Sequence, residues 1–441
     1  MKKSLSKNQF LSVSIMLFGL FFGAGNLIFP PMLGHQAGNL TFISLLFFAI
    51  TAVVFPILAV IAVAKTSGLT NLANRVGPVF SLVFTSLIYL SIGPGLGIPR
   101  AGSLPFEMAV QQYLPEGVNI FSLRLLYTLF FFLSAFLISL NPSKLVNRVG
   151  KVLTPTLLVL ILFMFIGVII SGINMPTKPA DAYISNAPVK GFLEGYNTMD
   201  AIAGLNFGLV IALAIKSFNV KDDKNIMRYT VKAGFLAGTV LFIIYAMLSY
   251  IGMVTGQITS GVENGAQVLV ITVNKVFGNF GGILLVSIFT LACLTTCVGL
   301  ITSGSGYFAK LTNNKISYKK WTLLFSAFSF VVANFGLNKI LAVSVPVLVS
   351  IYPISLTLII LTLFHDKLGF SKLAYKATIY VVSLISVVEG LLVAKIEIPI
   401  LTNFVKQLPL FKQSLGWLIP GLIVLVLAIF VSGALKLEKF K

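Results

Sequence analysis

Long uninterrupted apolar runs dominate the chain, each closed by a short polar or glycine–proline stretch. Runs such as "LLYTLFFFLSAFLISL" and "GLIVLVLAIFVSGAL" lack the apolar–polar alternation of a barrel strand. Their length suits helices that cross hydrocarbon, about 20 residues each. Within a bilayer every backbone N–H and C=O must be paired inside the protein, which leaves helices as the structure for such runs. The pattern predicts an all-α membrane protein of about 12 transmembrane helices, over 10–33, 41–64, 79–100, 122–141, 152–173, 194–217, 229–253, 281–305, 320–337, 340–363, 374–395 and 413–435. The first run is longer than the apolar region of a cleaved leader and lacks a small-residue cleavage site, so it is expected to remain as a span.

Two runs carry residues that membrane helices avoid. In the first, "FFGAGNLIFPPMLG" sets Gly23, Gly25, Asn26, Pro30 and Pro31 shortly after Gly19. The sixth, "LEGYNTMDAIAGLNFGLVIALAIKSF", holds Gly195, Asn197, Thr198, Asp200, Gly204, Asn206 and Gly208. Relative to Ala, Gly costs about 1 kcal/mol and Pro about 3 kcal/mol in a helix interior. An Asp at the bilayer centre adds roughly 2.5–3.5 kcal/mol. Close helix packing through Gly-x-x-x-Gly at 19/23 and 204/208 accounts for the glycines alone. Unwound backbone lining a cavity accounts for the prolines, amides and acid as well, so helices 1 and 6 are expected to be discontinuous. A half-helix N-terminus offers N–H groups to a carboxylate, and unwound carbonyls receive an ammonium group or a cation, which suits a zwitterion. Phe29, Leu205 and Phe207 are available to enclose an aliphatic side chain. Asp200 reads either as a ligand-contacting acid or as the N-cap of the second half-helix.

Five being odd, a second group of five spans enters the membrane from the opposite face. Spans 10–173 and 194–363 are therefore expected to form an inverted repeat within a single domain over 1–441, with two additional helices in 374–435.

Composition narrows the chemistry. The chain is 57% hydrophobic and 10% charged, with a mean hydropathy of +0.99, so lipid must be the solvent for most of it. A net charge of +20 raises the question of nucleic acid, but position explains it. With the N-terminus inside, 23 of the 32 Lys and Arg fall on cytoplasmic segments, the bias that orients membrane proteins. Both termini are expected to be cytoplasmic and no nucleic-acid partner is expected. Cys293 and Cys297 share one helix face with parallel Cβ vectors and read as buried, inert thiols rather than a disulfide. His35 and His365 are expected in loops; with no acid–His cluster, no catalytic residue is assigned and an enzyme is not expected. Arg100, at the outer end of the third run, reads as an outer gate or an interfacial anchor, and Glu389 as a packing partner outside the repeat.

The eighth run, "LACLTTCVGLITSGSG", places Thr295 and Thr296 side by side in an apolar helix. One reading has each hydroxyl bonded back to a carbonyl of its own helix. The other joins them to carbonyls of Gly19, Phe22 and Ala292 as an uncharged all-oxygen set for Na⁺, since a divalent ion would recruit carboxylates.

Taken together, "FFGAGNLIFPPMLG", "YNTMDAIAGLNFG", "ACLTTCVGL" and the third-span "GPGLGIPRAG" resemble the bacterial branched-chain amino acid:cation symporters, the BrnQ-type carriers, over essentially the whole chain. The resemblance implies a LeuT-type 5+5 inverted repeat in the cell membrane and import of Leu, Ile and Val with Na⁺, H⁺ being the alternative coupling ion. By the same resemblance, Gly23, Ala24, Gly25 and Asn26 form the unwound segment that meets the substrate. Asn197 to Gly204, with Asn197, Thr198, Asp200 and Gly204, form the matching segment of helix 6, and Phe207 lies beside it. Gly19, Phe22, Ala292, Thr295 and Thr296 hold the cation. The fifth span is apolar from Val152, which favours Na⁺ over a lysine ammonium in its place; Lys151, at its cytoplasmic mouth, reads either as a loop lysine serving orientation or as one that reaches inward. The expected partners are the amino acid and membrane lipid, with no obligatory protein partner. The rivals from other classes are a membrane-embedded enzyme, which needs a convergent His/Asp/Arg group, and a channel, whose flux would neither saturate nor be coupled.

Overall fold

A computed structural model describes residues 4–115, 117–220 and 222–434, and every regular element in them is helical. Leu435, the last residue of the 413–435 run, and the terminal lysines Lys2, Lys3, Lys436, Lys439 and Lys441 lie outside the described residues.

Helix α1 (Lys7–Phe21) starts at a capping box in which Ser6 and Gln9 each bond the other's backbone N–H. It stops at Phe22 (φ −77°, ψ 86°) and Gly23 (φ −114°, ψ −156°), and α2 (Ala24–Ala37) follows. Pro30 and Pro31 stand inside α2, where they leave the carbonyls of Asn26 and Leu27 without i+4 donors. A π-helical turn at Ile50–Val54 joins α3 (Thr41–Ala49) to α4 (Phe55–Lys65). Pro56 accounts for it, because its ring removes a donor and crowds the preceding turn.

After the short α5 (Leu69–Asn74) comes α6 (Pro78–Leu90), broken at Gly93 (φ −83°, ψ −132°) and Leu96 (φ −141°, ψ −53°) before α7 (Gly97–Pro105) resumes the line. This span runs on to Tyr113, so Arg100 lies well inside it rather than at its outer end. Then come α8 (Ile120–Ser139) and α9 (Thr154–Ile170).

Helices α10 (Asp181–Tyr196) and α11 (Asp200–Lys216) are bent by 46° across Asn197–Met199, where Met199 takes a left-handed φ of 56°. The helical residues begin earlier than the 194–217 run suggests, with a kink at Asn186 (φ −162°, ψ 78°) just before Pro188. The remaining helices are α12 (Asp223–Val254), α13 (Gly265–Phe277), α14 (Asn279–Leu311), α15 (Tyr318–Ala333), α16 (Leu337–Leu368), α17 (Lys372–Val393), α18 (Pro399–Lys406) and α19 (Leu418–Ala434). Asp222, Asn264, Ser317 and Ser371 cap α12, α13, α15 and α17 through their side chains.

Eight helices among the described residues are long and apolar enough to cross a membrane, or nine with the bent pair α10–α11. Their outward faces carry large apolar side chains such as Phe130 on α8, Ile170 on α9 and Phe430 on α19, as a lipid solvent requires. Helix α1 packs among α11, α12 and α14, while α16, α17 and α19 pack successively to one side. Helix α2 meets α12 and α13 backbone to backbone. A Cβ on Gly34 would overlap the Ser249 carbonyl, one on Gly252 the Pro31 carbonyl, and one on Gly265 the Ile28 carbonyl.

The two histidines are not in loops. His35 is half-buried in the last turn of α2, its Nδ1 3.0 Å from Thr259 Oγ1, and His365 is buried in α16. The thiols of Cys293 and Cys297 are both buried and free.

Candidate substrate and cation site

Hydrogen bonding changes direction where α1 stops. A continuous helix would have the Gly23 N–H donate to the Gly19 carbonyl; instead it donates to Asn26 Oδ1 at 2.8 Å. Among the described residues no backbone hydrogen bond joins α2 back to α1. The last carbonyls of α1 and the first N–H groups of α2 therefore face one break with opposite polarity. Asn26 is buried, and its amide nitrogen donates to Asp200 Oδ2 (2.8 Å) and to the Tyr245 hydroxyl. One side chain thus ties the break in the first span to the start of α11 and to the middle of α12.

The second break is confined to Asn197–Met199, shorter than the 197–204 stretch read from the sequence; Asp200 to Gly204 are already helical. Thr198 Oγ1 donates to the Gly195 carbonyl at 2.8 Å. Met199 holds the N-cap position, so Asp200 belongs to the first turn of α11 and is not its cap. Gly25, Phe29, Thr198 and Asp200 are half-buried and Asn197 is exposed, while Ala24 is buried. Gly204 and Phe207 are set in helix packing instead. A Cβ on Gly204 would sit 2.6 Å from the Pro56 carbonyl oxygen of α4. Phe207 is fully buried with its ring edge-on to Phe21, centroids 5.4 Å apart. Leu205 is likewise fully buried.

On α14, Thr295 Oγ1 bonds back to the Ala292 carbonyl at 3.0 Å. Thr296 does not: its Oγ1 is buried without a partner and would lie 2.9 Å from a Cβ built on Gly23. Thr154, which opens α9, does the same one turn away. It is fully buried, its hydroxyl has no partner, and it presses so closely on Gly19 that a Cβ there would overlap it. Sequence reasoning missed Thr154, because one threonine ahead of Pro155 in an apolar run carries no distinguishing signal. Lys151, three residues earlier, is exposed. The structure thus sets Thr154 against Gly19 and Thr296 against Gly23, so two unpartnered hydroxyls flank the end of α1, whose last carbonyls have no helical donors. Such a set is all-oxygen and uncharged. No group of three or more His, Cys, Asp or Glu suited to a metal occurs among the described residues. The chemistry fits a weakly held monovalent cation better than a divalent one.

Arg100, on α7, is half-buried and within electrostatic reach of Asp200 and Cys293. A separate basin of about 320 Å³ opens between α4, α11, α12 and α14, lined by Lys65, Lys216, Lys224, Lys310 and Asp223, and contains none of the candidate residues.

Comparison with known proteins agrees with this architecture. The chain is 41% identical over 425 residues to the branched-chain amino acid permease BrnQ of Bacillus subtilis (strain 168), covering 96% of each. It is 38% identical over 448 residues to the permease BraB of the same organism, covering 100% of each. To the branched-chain amino acid transport system 2 carrier protein of Pseudomonas aeruginosa it is 40% identical over 422 residues, covering 95% of each. Among solved structures it resembles Mhp1, a nucleobase-cation-symport-1 family transporter in a closed conformation with bromovinylhydantoin bound. The TM-score is 0.59 at 10% identity, covering 98% of this chain and 94% of that one. It also resembles MhsT in complex with L-phenylalanine, with a TM-score of 0.52 at 16% identity, covering 98% and 99%. Those two likenesses show the fold, that of the LeuT-type transporters. The family model described as branched-chain amino acid transport protein matches residues 6–435, and the chain belongs to that family, one of multi-pass membrane transporters and not of enzymes.

Proposed function

We propose that the protein imports leucine, isoleucine and valine across a bacterial cell membrane by symport with Na⁺. The observation that carries this reading is the break at Phe22–Gly23, where α1 ends in carbonyls without helical donors beside the unpartnered hydroxyls of Thr154 and Thr296. Na⁺, a transported ion, is taken by the carbonyls of Gly19, Phe22 and Ala292 with the hydroxyls of Thr295 and Thr296, and Thr154 adds a hydroxyl from α9. The substrate lies at the start of α2, by Gly23, Ala24, Gly25 and Asn26, and across the second break at Asn197, Thr198 and Asp200. The free N–H groups of α2 receive its carboxylate. Phe29, half-buried beside Gly25, faces its aliphatic side chain.

In this reading the fold has twelve spans. They are reached by counting α1 with α2 as one span apart from α3–α4, α10 with α11 as another, and α15 and α19 as spans of their own. Helices 1 and 6 are the discontinuous members of a 5+5 inverted repeat, and both termini are cytoplasmic. Na⁺ at the end of α1 favours the state that binds substrate, because the ion's affinity differs between the two states.

The test is uptake into proteoliposomes with Na⁺ and pH gradients imposed separately. Saturable leucine accumulation driven by a Na⁺ gradient alone, and competed by isoleucine and valine, is expected. Accumulation driven by the pH gradient in Na⁺-free buffer would replace Na⁺ with H⁺ in the reading.

A further inference from the structure

The chain has five arginines, and four have an evident place. Arg75 bonds the Tyr375 hydroxyl, Arg124 the Asn334 carbonyl, Arg148 the carbonyls of Leu137 and Ile138, and Arg228 is exposed. Arg100 alone lies deep in a span with no hydrogen bond or ion pair from its guanidinium among the described residues. The third span is broken at Gly93 and Leu96, and α7 restarts at Gly97, where a Cβ would overlap the Ile92 carbonyl. That displaced restart sets α7 against α14, α15, α16 and α2, and Arg100 is half-buried on it.

A guanidinium held at membrane depth without a counter-ion is costly, and such groups face a pathway or a partner. The acid within its electrostatic reach is Asp200, which forms no ion pair with it and whose Oδ2 is held by Asn26. Tyr352 on α16, fully buried with its hydroxyl unpartnered, packs edge-on against Tyr196 just ahead of the second break, centroids 4.6 Å apart. A fixed cation and a fixed carboxylate near one another but not joined are complementary to a molecule carrying both opposite charges.

We infer that Arg100 binds the substrate's carboxylate, together with the first N–H groups of α2, and that Asp200 binds its ammonium group. This deepens the proposed function and rests on it. The site then selects α-amino acids by charge at both ends, which an apolar pocket alone cannot do. Guanidinium geometry suits a carboxylate in a way that an ammonium does not.

The experiment measures radiolabelled leucine binding to purified full-length protein, wild type, Arg100→Gln and Arg100→Lys. Unlabelled leucine and leucinamide, which lacks the carboxylate, serve as competitors. Arg100→Gln is expected to weaken leucine binding roughly 10- to 150-fold, the range for a charge-assisted contact, and to leave leucinamide affinity unchanged. Arg100→Lys recovers part of the loss. Leucine affinity unchanged in Arg100→Gln overturns the inference, as does an equal loss for leucine and leucinamide. Should Arg100→Gln not survive purification, Arg100→Lys decides: leucine binding weakened more than leucinamide binding supports the inference, and both unchanged or weakened alike overturns it. Failure of the transport reading itself looks different, since wild-type protein would then bind none of the branched-chain amino acids.

Discussion

Replacing Thr296 by valine should raise stability in the absence of Na⁺ and shrink the increment that Na⁺ adds. The threonine hydroxyl is buried and has no partner, and an unpaired buried polar group costs about 1–3 kcal/mol. Valine has nearly the same shape without the hydroxyl, so the Na⁺-free variant should be more stable than wild type by up to that amount. In Na⁺ at a hundredfold excess over its dissociation constant, a bound ion adds about 2.7 kcal/mol to the wild type. Losing a contact to a charged ligand, worth roughly 1.5–3 kcal/mol, weakens ion binding roughly 10- to 150-fold. The ion's contribution at the same concentration then falls to between about 1.4 and about 0.3 kcal/mol. The assay is thermal unfolding in detergent, with NaCl exchanged for choline chloride at constant ionic strength. Thr154→Val should repeat the pattern, since its hydroxyl is also unpartnered and presses on Gly19. Thr378→Val is the control. Its hydroxyl is buried and unpartnered too, but it lies on α17, which packs on α16 and α19. It should raise Na⁺-free stability and leave the Na⁺ increment intact. A Thr296→Val protein that keeps the full wild-type increment would refute the assignment of the ion to this break.

Gly252→Ala should lower the unfolding temperature sharply, because a methyl group there overlaps the Pro31 carbonyl and separating packed backbones costs about 1–3 kcal/mol or more. Gly306→Ala, on α14 with nothing within 4 Å of the added carbon, should be neutral or stabilising by up to about 1 kcal/mol; equal effects at the two sites would contradict the packing described for α2. Gly23→Ala, whose methyl would sit 2.9 Å from Thr296 Oγ1, should abolish Na⁺-stimulated leucine uptake while leaving the protein monodisperse on size exclusion. For orientation, Lys144→Cys should react with an impermeant maleimide only in inside-out vesicles and Lys178→Cys only in right-side-out vesicles. Background labelling is low because both native cysteines are buried, and the reverse pattern would invert the proposed topology.

What the sequence conveys about this fold is the solvent each segment meets. Apolar run length reports lipid, and Gly, Asn and Pro inside such a run report backbone that cannot stay helical, as at Gly23 and Asn197–Met199. The prolines mislead locally: Pro30 and Pro31 do not mark the break but stand well inside α2, past it, where they cost the helix the two donors that the Asn26 and Leu27 carbonyls would have met. Run length also misplaces Arg100, since the glycine-rich interruption at 93–97 reads as the end of a span when the helix restarts behind it. What no periodicity conveys is which hydroxyl faces which glycine. Thr154 meets Gly19 from a helix far along the chain, and Asn26 reaches Asp200 across 174 residues. Gly204 shows the same limit in reverse, for a glycine that admits a substrate and one that admits the neighbouring α4 look identical in a string of letters.

The bond network around Asn26 also says how ion and substrate would act on each other. The carbonyls proposed for the ion close α1 and the N–H groups proposed for the carboxylate open α2, so both ligands act on one two-residue break. The Asn26 side chain holds that break by accepting from the Gly23 N–H and donating to Asp200 and Tyr245. If the break has two arrangements, each ligand that prefers one raises the affinity for the other by the same factor, for a coupling of about 1–3 kcal/mol, or roughly 5- to 150-fold. Asn26→Ala removes the tie but none of the carbonyls, hydroxyls or N–H groups proposed as ligands. Leucine and Na⁺ should therefore each still bind, more weakly, while the factor by which one enhances the other falls toward unity. Calorimetric titration of leucine at low and high Na⁺, and of Na⁺ with and without leucine, measures that factor twice. An Asn26→Ala protein with full wild-type coupling would show that the two ligands communicate through some other part of the molecule.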